Sequence, residues 1–140
     1  MSIPSQGHAL GQYQSIGNYS AVSAADKLRL VQLMMQGVQD RVAKARGHIA
    51  RGEISSKGEQ IGRAIQLIDG LRASLDDAEG GDIARNLAGL YEYMMRRLLV
   101  ANANDDSDVL DEVSGLMKEV KEAWDEVLHQ SESIIAAQGA

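Results

Sequence analysis

Glu126 and His129 form the one Glu-x-x-His pair in the chain. Ferritin-like di-iron proteins use that spacing to turn a carboxylate and an imidazole toward a metal inside a helical bundle. The chemistry requires a second such pair on another helix and further inward-facing glutamates, and the chain supplies neither. The helical phase that turns Val120, Trp124 and Val127 inward also turns Glu126 and His129 to solvent. His8 and His48 have no spacing that groups them with His129. Asp105, Asp106 and Asp108 invite a calcium reading, but the central Gly and terminal Glu of a calcium loop are absent. Carboxylates at that point serve better as helix N-terminal partners, where they oppose the macrodipole favourably. The same holds for Asp76, Asp77 and Asp82 around Gly80-Gly81, a turn with no following Gly-Lys-Ser/Thr and a helix rather than a strand before it. With no cysteine and no nucleophile beside a base, the residues predict no enzyme, no metal and no cofactor.

The segments that would position any such group are helical. The 140 residues suit one domain with one core. Apolar residues make up 44% of the chain without any Phe and with one Trp, so the core draws on Ala, Leu, Ile, Val and Met, which favour helix over strand. Fourteen Lys and Arg against twenty Asp and Glu leave a net charge of −6, which repels a phosphate backbone and argues against a nucleic-acid partner. No apolar run approaches the roughly 20 residues needed to cross a bilayer, and the first residues lack the basic and apolar regions of a signal peptide. The expectation is a cytoplasmic protein with no membrane insertion.

Residues 1–22, with Pro4, Gly7, Gly11 and Gly17, read as an irregular arm or short helix anchored by Tyr13, Ile16, Tyr19 and Val22. A first helix is expected after the cap at Ser23, running to about Arg51, with Gly52 as its stop. Ser56-Lys-Gly-Glu59 reads as a second cap, opening a helix through Ile61, Ile65, Ile68, Leu71 and Leu75. Asp77 to Gly81 breaks it, and a third helix starts near Asp82. Asn104-Asp105-Asp106 separates that helix from a fourth, with apolar positions Val109, Val113, Leu116, Val120, Ala123, Trp124 and Val127. Short connections make consecutive helices antiparallel, so the chain reads as all-α: an antiparallel up-down four-helix bundle over residues 23–130, with the N-terminal arm or short helix docked on it. Residues 131–140 read as a flexible C-terminal tail.

The third helix carries more apolar surface than one buried face requires. At about 100° per residue, Ile83, Leu87, Leu90, Met94, Leu98 and Ala101 form one stripe, and Ala84, Ala88, Tyr91, Met95 and Leu99 form another beside it. Two stripes need two burial surfaces. Together with Ile61, Ile65 and Ile68 of the second helix, the second stripe gives the candidate binding residues, and Tyr91 is the leading one. Tyr93 falls off both stripes. Interior glycines at 37, 47, 62, 70, 89 and 115 cost roughly 1 kcal/mol each against Ala, which close helix approach or a bound chain passing over them would offset. Met34-Met35 and Met94-Met95 cannot point the same way within each pair, so core filling and a groove are both open to them. Arg96 and Arg97 lie among enough acids to be paired within the chain.

The order of these residues resembles the FliS family of flagellin export chaperones. The resemblance runs through Leu75-Asp76, Gly80-Gly81, Asn86-Leu87, Leu90-Tyr91, Tyr93-Met94, Arg96-Arg97-Leu98 and Ala101-Asn102. Outside that stretch it includes Tyr13, Ile16-Gly17, Ser23, Gly37-Val38, Ala64-Ile65, Ile68, Leu71-Arg72 and Glu122-Ala123-Trp124, so it spans residues 10 to about 128. Ala24 stands where the family commonly has proline, and Met35-Gln36 where it commonly has an aromatic-acidic pair. The resemblance implies a chaperone that binds the disordered C-terminal segment of flagellin, keeps it from polymerising, and delivers it to the export gate protein FlhA. It also implies that the arm covers the client surface, with Tyr13 and Ile16 as lid residues; the other reading of the arm is a permanently docked segment that only stabilises the bundle. A reading from a different class is a helical bundle that buries its second stripe against another copy of itself.

Overall fold

The computed structural model describes residues 21–75 and 77–139. The expectations for the arm, Tyr13 and Ile16 among them, lie outside the described residues. Four helices follow in order: α1 (Ala21–Ala50), α2 (Ile54–Ala73), α3 (Asp77–Asn104) and α4 (Ser107–Gly139). Among the described residues there is no strand, and the fold is the all-α four-helix bundle that the apolar periodicity implies.

The termini explain the boundaries. Gly52 takes φ +71 just past α1, where its N–H donates to Ile49 O at 3.1 Å and the next N–H, from Glu53, to His48 O at 2.8 Å. This is the double bond pattern of a glycine-terminated helix, which satisfies carbonyls the helix cannot. The chain then enters α2 at once, so α2 begins two residues before Ser56, and the cap expected at Ser56 is not formed. Glu53 precedes the helix without a side-chain capping bond, because its carboxylate receives His48 Nδ1 and Arg51 Nε instead, both at 2.8 Å. A non-helical residue interrupts α3 at Gly81 (φ 55, ψ −129), so its regular run starts at Asp82, the start expected from sequence. Asp105 ends α3 with φ 50, and the N–H of Asp106 reaches back to Ala101 O at 3.1 Å. The Asp106 carboxylate then accepts the N–H groups of Asp108 at 3.0 Å and Val109 at 3.3 Å. That is an N-cap for α4, and it accounts for the acidic turn that resembled a calcium loop. Helix α4 continues to Gly139, through the segment where the sequence suggests a flexible tail.

Each helix packs against its neighbours in sequence, and α4 closes the ring against α1. Pairings run antiparallel throughout: Arg41 of α1 donates to Gln60 of α2, Lys57 of α2 reaches Asn102 of α3, and Tyr93 of α3 reaches Glu112 of α4. Between α4 and α1, Gln32 meets Asp125, Gln39 meets Ser114 and Arg46 meets Asp111. The core holds Met35, Val38, Ile61, Ile68, Leu71, Tyr91, Met94, Leu98, Leu110 and Met117, all at 1% exposure or less. On α4 the buried positions are Leu110, Met117 and Leu128 beside Val109 and Val113, whereas Ala123 and Val127, expected inward, are exposed.

The tightest helix approach is α1 on α2, and it is reciprocal. A Cβ at Gly37 would stand 3.0 Å from Leu67 Cδ1, and one at Gly70 would stand 2.9 Å from Met34 Cε. Each helix thus offers a glycine notch to a long side chain of the other, which offsets part of the helix cost of glycine through dispersion contacts. Glycines 62, 89 and 115 meet nothing within 4 Å, so close packing explains only part of the glycine content.

Candidate functional site

The eight bundle positions singled out from sequence divide by burial. Ile61, Ile68, Ala84 and Tyr91 are at 4% exposure or less and belong to the core. Tyr91 was the leading candidate for a groove, and in this structure it is one of the largest buried side chains. Ile65 and Met95 are partly buried and pack on the core from outside, Ala88 is half-buried, and Leu99 is 59% exposed. Those that reach the surface all lie along the junction of α2 and α3. The first stripe divides in a similar way: Met94, Leu98 and Ala101 are fully buried, yet Ile83 is 79% exposed. Each methionine pair splits, with Met35 and Met94 inside and Met34 and Met95 at the edge of the core.

Small and partly exposed apolar residues line this α2–α3 junction, here called the trough. Its α2 side is Gly58, Gly62 and Ile65, spaced i, i+4, i+7 on one face, and its α3 side is Ala88, Met95 and Leu99. Gly58 lies near Asn102, whose Oδ1 would be 3.7 Å from an added Cβ, and Gly62 faces open space. At the far end Arg72 approaches Glu92 at 3.7 Å while also holding Asp69 at 2.7 Å. From Gly58 to Arg72 the helix rises roughly 21 Å at 1.5 Å per residue, room for about four turns of a bound helix. Along the outer edge of α2, Glu59 and Arg63 pair at 2.8 Å. The trough therefore has an apolar floor, two missing side chains and a polar rim, which suits a chain segment rather than a small polar substrate. The glycine spacing was readable from sequence, but its position on the outer face required knowing which side of α2 is buried.

Two polar clusters fix the walls. On α2, Lys57 is 3% exposed and donates to Asn102 O at 2.8 Å and to the Asp105 carboxylate, so it satisfies a carbonyl that the end of α3 leaves open. Between α3 and α4, Glu112 accepts the Tyr93 hydroxyl and Arg97 Nε, the latter at 2.8 Å. The Tyr93 bond, with Arg97 second, holds the Glu112 carboxyl below the usual glutamate range, and the same bond pushes the Tyr93 hydroxyl up. Arg96 sits 6.0 Å from the Tyr93 ring centroid. Both arginines are thus engaged within the chain. Among the described residues, no group of three or more His, Asp or Glu side chains is placed to hold a metal ion, and no helix is long and apolar enough to cross a membrane.

Comparison with known proteins gives a consistent match across this architecture. The family model described as "Flagellar protein FliS" matches residues 9–131. The chain is 50% identical over 121 residues to the flagellar secretion chaperone FliSB of Pseudomonas aeruginosa, covering 86% of this chain and 96% of that one. It is 40% identical over 116 residues to the flagellar secretion chaperone FliS of Salmonella typhimurium, covering 82% and 86%. With the flagellar secretion chaperone FliS of Vibrio cholerae it shares 35% identity over 130 residues, covering 93% and 96%.

Proposed function

This chain belongs to the FliS family of flagellar secretion chaperones, and we propose that its client is the disordered C-terminal segment of flagellin. The protein holds that segment in the cytoplasm, prevents its premature polymerisation and delivers it to the export gate protein FlhA. The observation that carries this reading is the α2–α3 trough, where Ile65, Met95 and 59%-exposed Leu99 lie beside the open backbone at Gly62. A flagellin segment whose apolar face zips into a filament has the amphipathic character such a trough accepts. Binding a disordered client costs ordering entropy, which keeps a large interface reversible, as handover to an export apparatus requires. The chemistry is non-covalent: no nucleotide, metal or catalytic group is needed. In the same reading the arm, through Tyr13 and Ile16, covers the trough until the client displaces it.

Calorimetric titration with a peptide of the flagellin C-terminus tests this directly. The expected result is saturable one-to-one binding with a negative heat-capacity change, the mark of apolar burial, lost or much weakened in Leu99→Asp. Removing residues 1–20 is expected to leave binding unchanged or tighter. No heat with the peptide or with full-length flagellin at several temperatures, from folded protein, would rule the reading out. Equal affinity in Leu99→Asp would move the site off the trough.

A further inference from the structure

Toward the end of the bundle formed by the start of α3 and the later turns of α4, apolar residues on facing sides of two helices stay uncovered. Ile83 is 79% exposed, Val127 47% and Ile134 57%. Ile83 continues the stripe of α3 that is fully buried at Met94 and Leu98, and Val127 and Ile134 continue the α4 stripe begun by buried Val109 and half-buried Val120. The two helices are laced together at Tyr93, Arg97 and Glu112; beyond that point Leu87, Leu90, Leu116 and Val120 still pack on the core, and the exposed apolar side chains begin at Ile83 and Val127. Alongside, Glu119 and Glu126 stand two turns apart, at i and i+7, on one exposed face of α4, while Glu122 turns toward Lys118 and Lys121 on the α1–α4 side. Neither Glu119 nor Glu126 takes part in an ion pair among the described residues, and Glu126 accepts only the Gln130 amide at 3.4 Å, whereas Asp111, Glu112, Asp125 and Glu132 of the same helix each have a cationic partner.

The charge pattern selects among occupants. Residues 1–20 contain no Lys or Arg, so the arm has no such cation to set against Glu119 and Glu126. A second copy would bring the same carboxylates and a net charge of −6, and like charges brought together disfavour association. We propose that this α3–α4 face docks a cationic amphipathic helix of another protein, its apolar side on Ile83, Val127 and Ile134 and its Lys or Arg residues on Glu119 and Glu126. The face lies across α3 from the α2–α3 trough, so the two surfaces can be occupied together, and this docking does not depend on what the trough binds.

The test uses the full-length protein and two designed helical peptides of about eighteen residues, five turns, identical in their leucines but bearing Lys in one and Glu in the other. In methyl NMR titrations the Lys peptide is expected to shift Ile83, Val127 and Ile134 saturably, and its Glu twin to shift nothing. Charge reversal at Glu119→Lys and Glu126→Lys together should weaken the Lys peptide by about tenfold or more, the equivalent of at least 1.4 kcal/mol. The variant Val127→Ser with Ile134→Ser should do the same, with circular dichroism confirming that helix content is kept. Equal binding of both peptides would overturn the proposal, as would shifts confined to Ile65 and Leu99. A sedimenting dimer that Ile134→Ser dissociates would make a second copy the occupant, and equal gains for both peptides on removing residues 1–20 would make it the arm.

Discussion

The ammonium of Lys57 on α2 donates to the backbone carbonyl of Asn102 at 2.8 Å, at the point where α3 ends. The same group holds Asp105, whose φ of 50 turns the chain into α4. A lysine at 3% exposure is therefore placed as a cap for another helix. Replacing it with methionine keeps the stem and leaves that carbonyl without its donor, at a cost of about 1–3 kcal/mol. Urea unfolding of Lys57→Met should show a lower midpoint with an unchanged slope.

The N-cap at Asp106 is a separate contribution. Asp106→Ala removes the acceptor for the N–H groups of Asp108 and Val109 and should cost about 0.5–2 kcal/mol. Asp106→Ser, which keeps an acceptor, should recover most of it in the same thermal unfolding assay.

Three glycine substitutions should separate packing from propensity. Gly115→Ala adds a Cβ in open space on α4 and should raise stability by up to about 1 kcal/mol. Gly37→Ala should gain less or lose, because its Cβ would stand 3.0 Å from Leu67 Cδ1. Gly62→Ala should match Gly115→Ala in stability but weaken the flagellin peptide, since its Cβ would enter the trough. If Gly62→Ala left the titration unchanged, nothing would be passing over that glycine.

Tyr91 and Leu99 share one stripe in sequence and should respond in opposite ways. Leu99, 59% exposed, should tolerate Asp within roughly 0.5 kcal/mol of stability, as surface positions generally do, while client binding falls. Tyr91, 1% exposed, should lose about 3 kcal/mol or more on truncation to Ala, the usual result for a large core side chain. Unfolding curves and titrations of the two variants together check this.

Acid should weaken the bundle through a defined set of carboxylates. Glu112 is held below its usual range by Tyr93 and then Arg97, Asp111 by Arg46, and Glu53 by His48 and then Arg51. A carboxylate whose pKa is lowered by folding adds stability above its unfolded value, and loses it as pH falls through the folded one. The deficit of Glu112→Gln against the parent should therefore be visible at neutral pH and close as pH drops below about 4. A deficit that did not change with pH would mean that the Glu112 contacts are steric and not ionic.

Much of this fold could be read from the apolar periodicity and the turn residues. Gly52, Asp82 and Asp106 mark boundaries because a left-handed φ, a break and a cap each call for particular side chains. Ser56 misled because a serine three before a glutamate forms a cap only where the chain enters a helix, and the chain had already entered α2 at Ile54. The two stripes of α3 were legible, but not which of them the core would take at each level. Tyr91 went inside, at 1% exposure, and Ile83 stayed outside, at 79%, two residues past the Gly81 break. Long-range pairings such as Lys57 with Asn102 leave no trace in local spacing.

The α4–α1 contact has a consequence for how the chain finds its final form. Three of its bonds originate at Gln32, Gln39 and Arg46, seven residues apart along α1, and they join the two segments most distant in sequence. Methyl groups sliding past one another by a turn would keep much of their contact, whereas a directional bond is lost at the first displacement. Because the last helix must close against the first across the longest loop in the molecule, an error of register would be most probable there. The three polar rungs act as a vernier: they add little to how firmly α4 is held, and they decide at which single setting it stops.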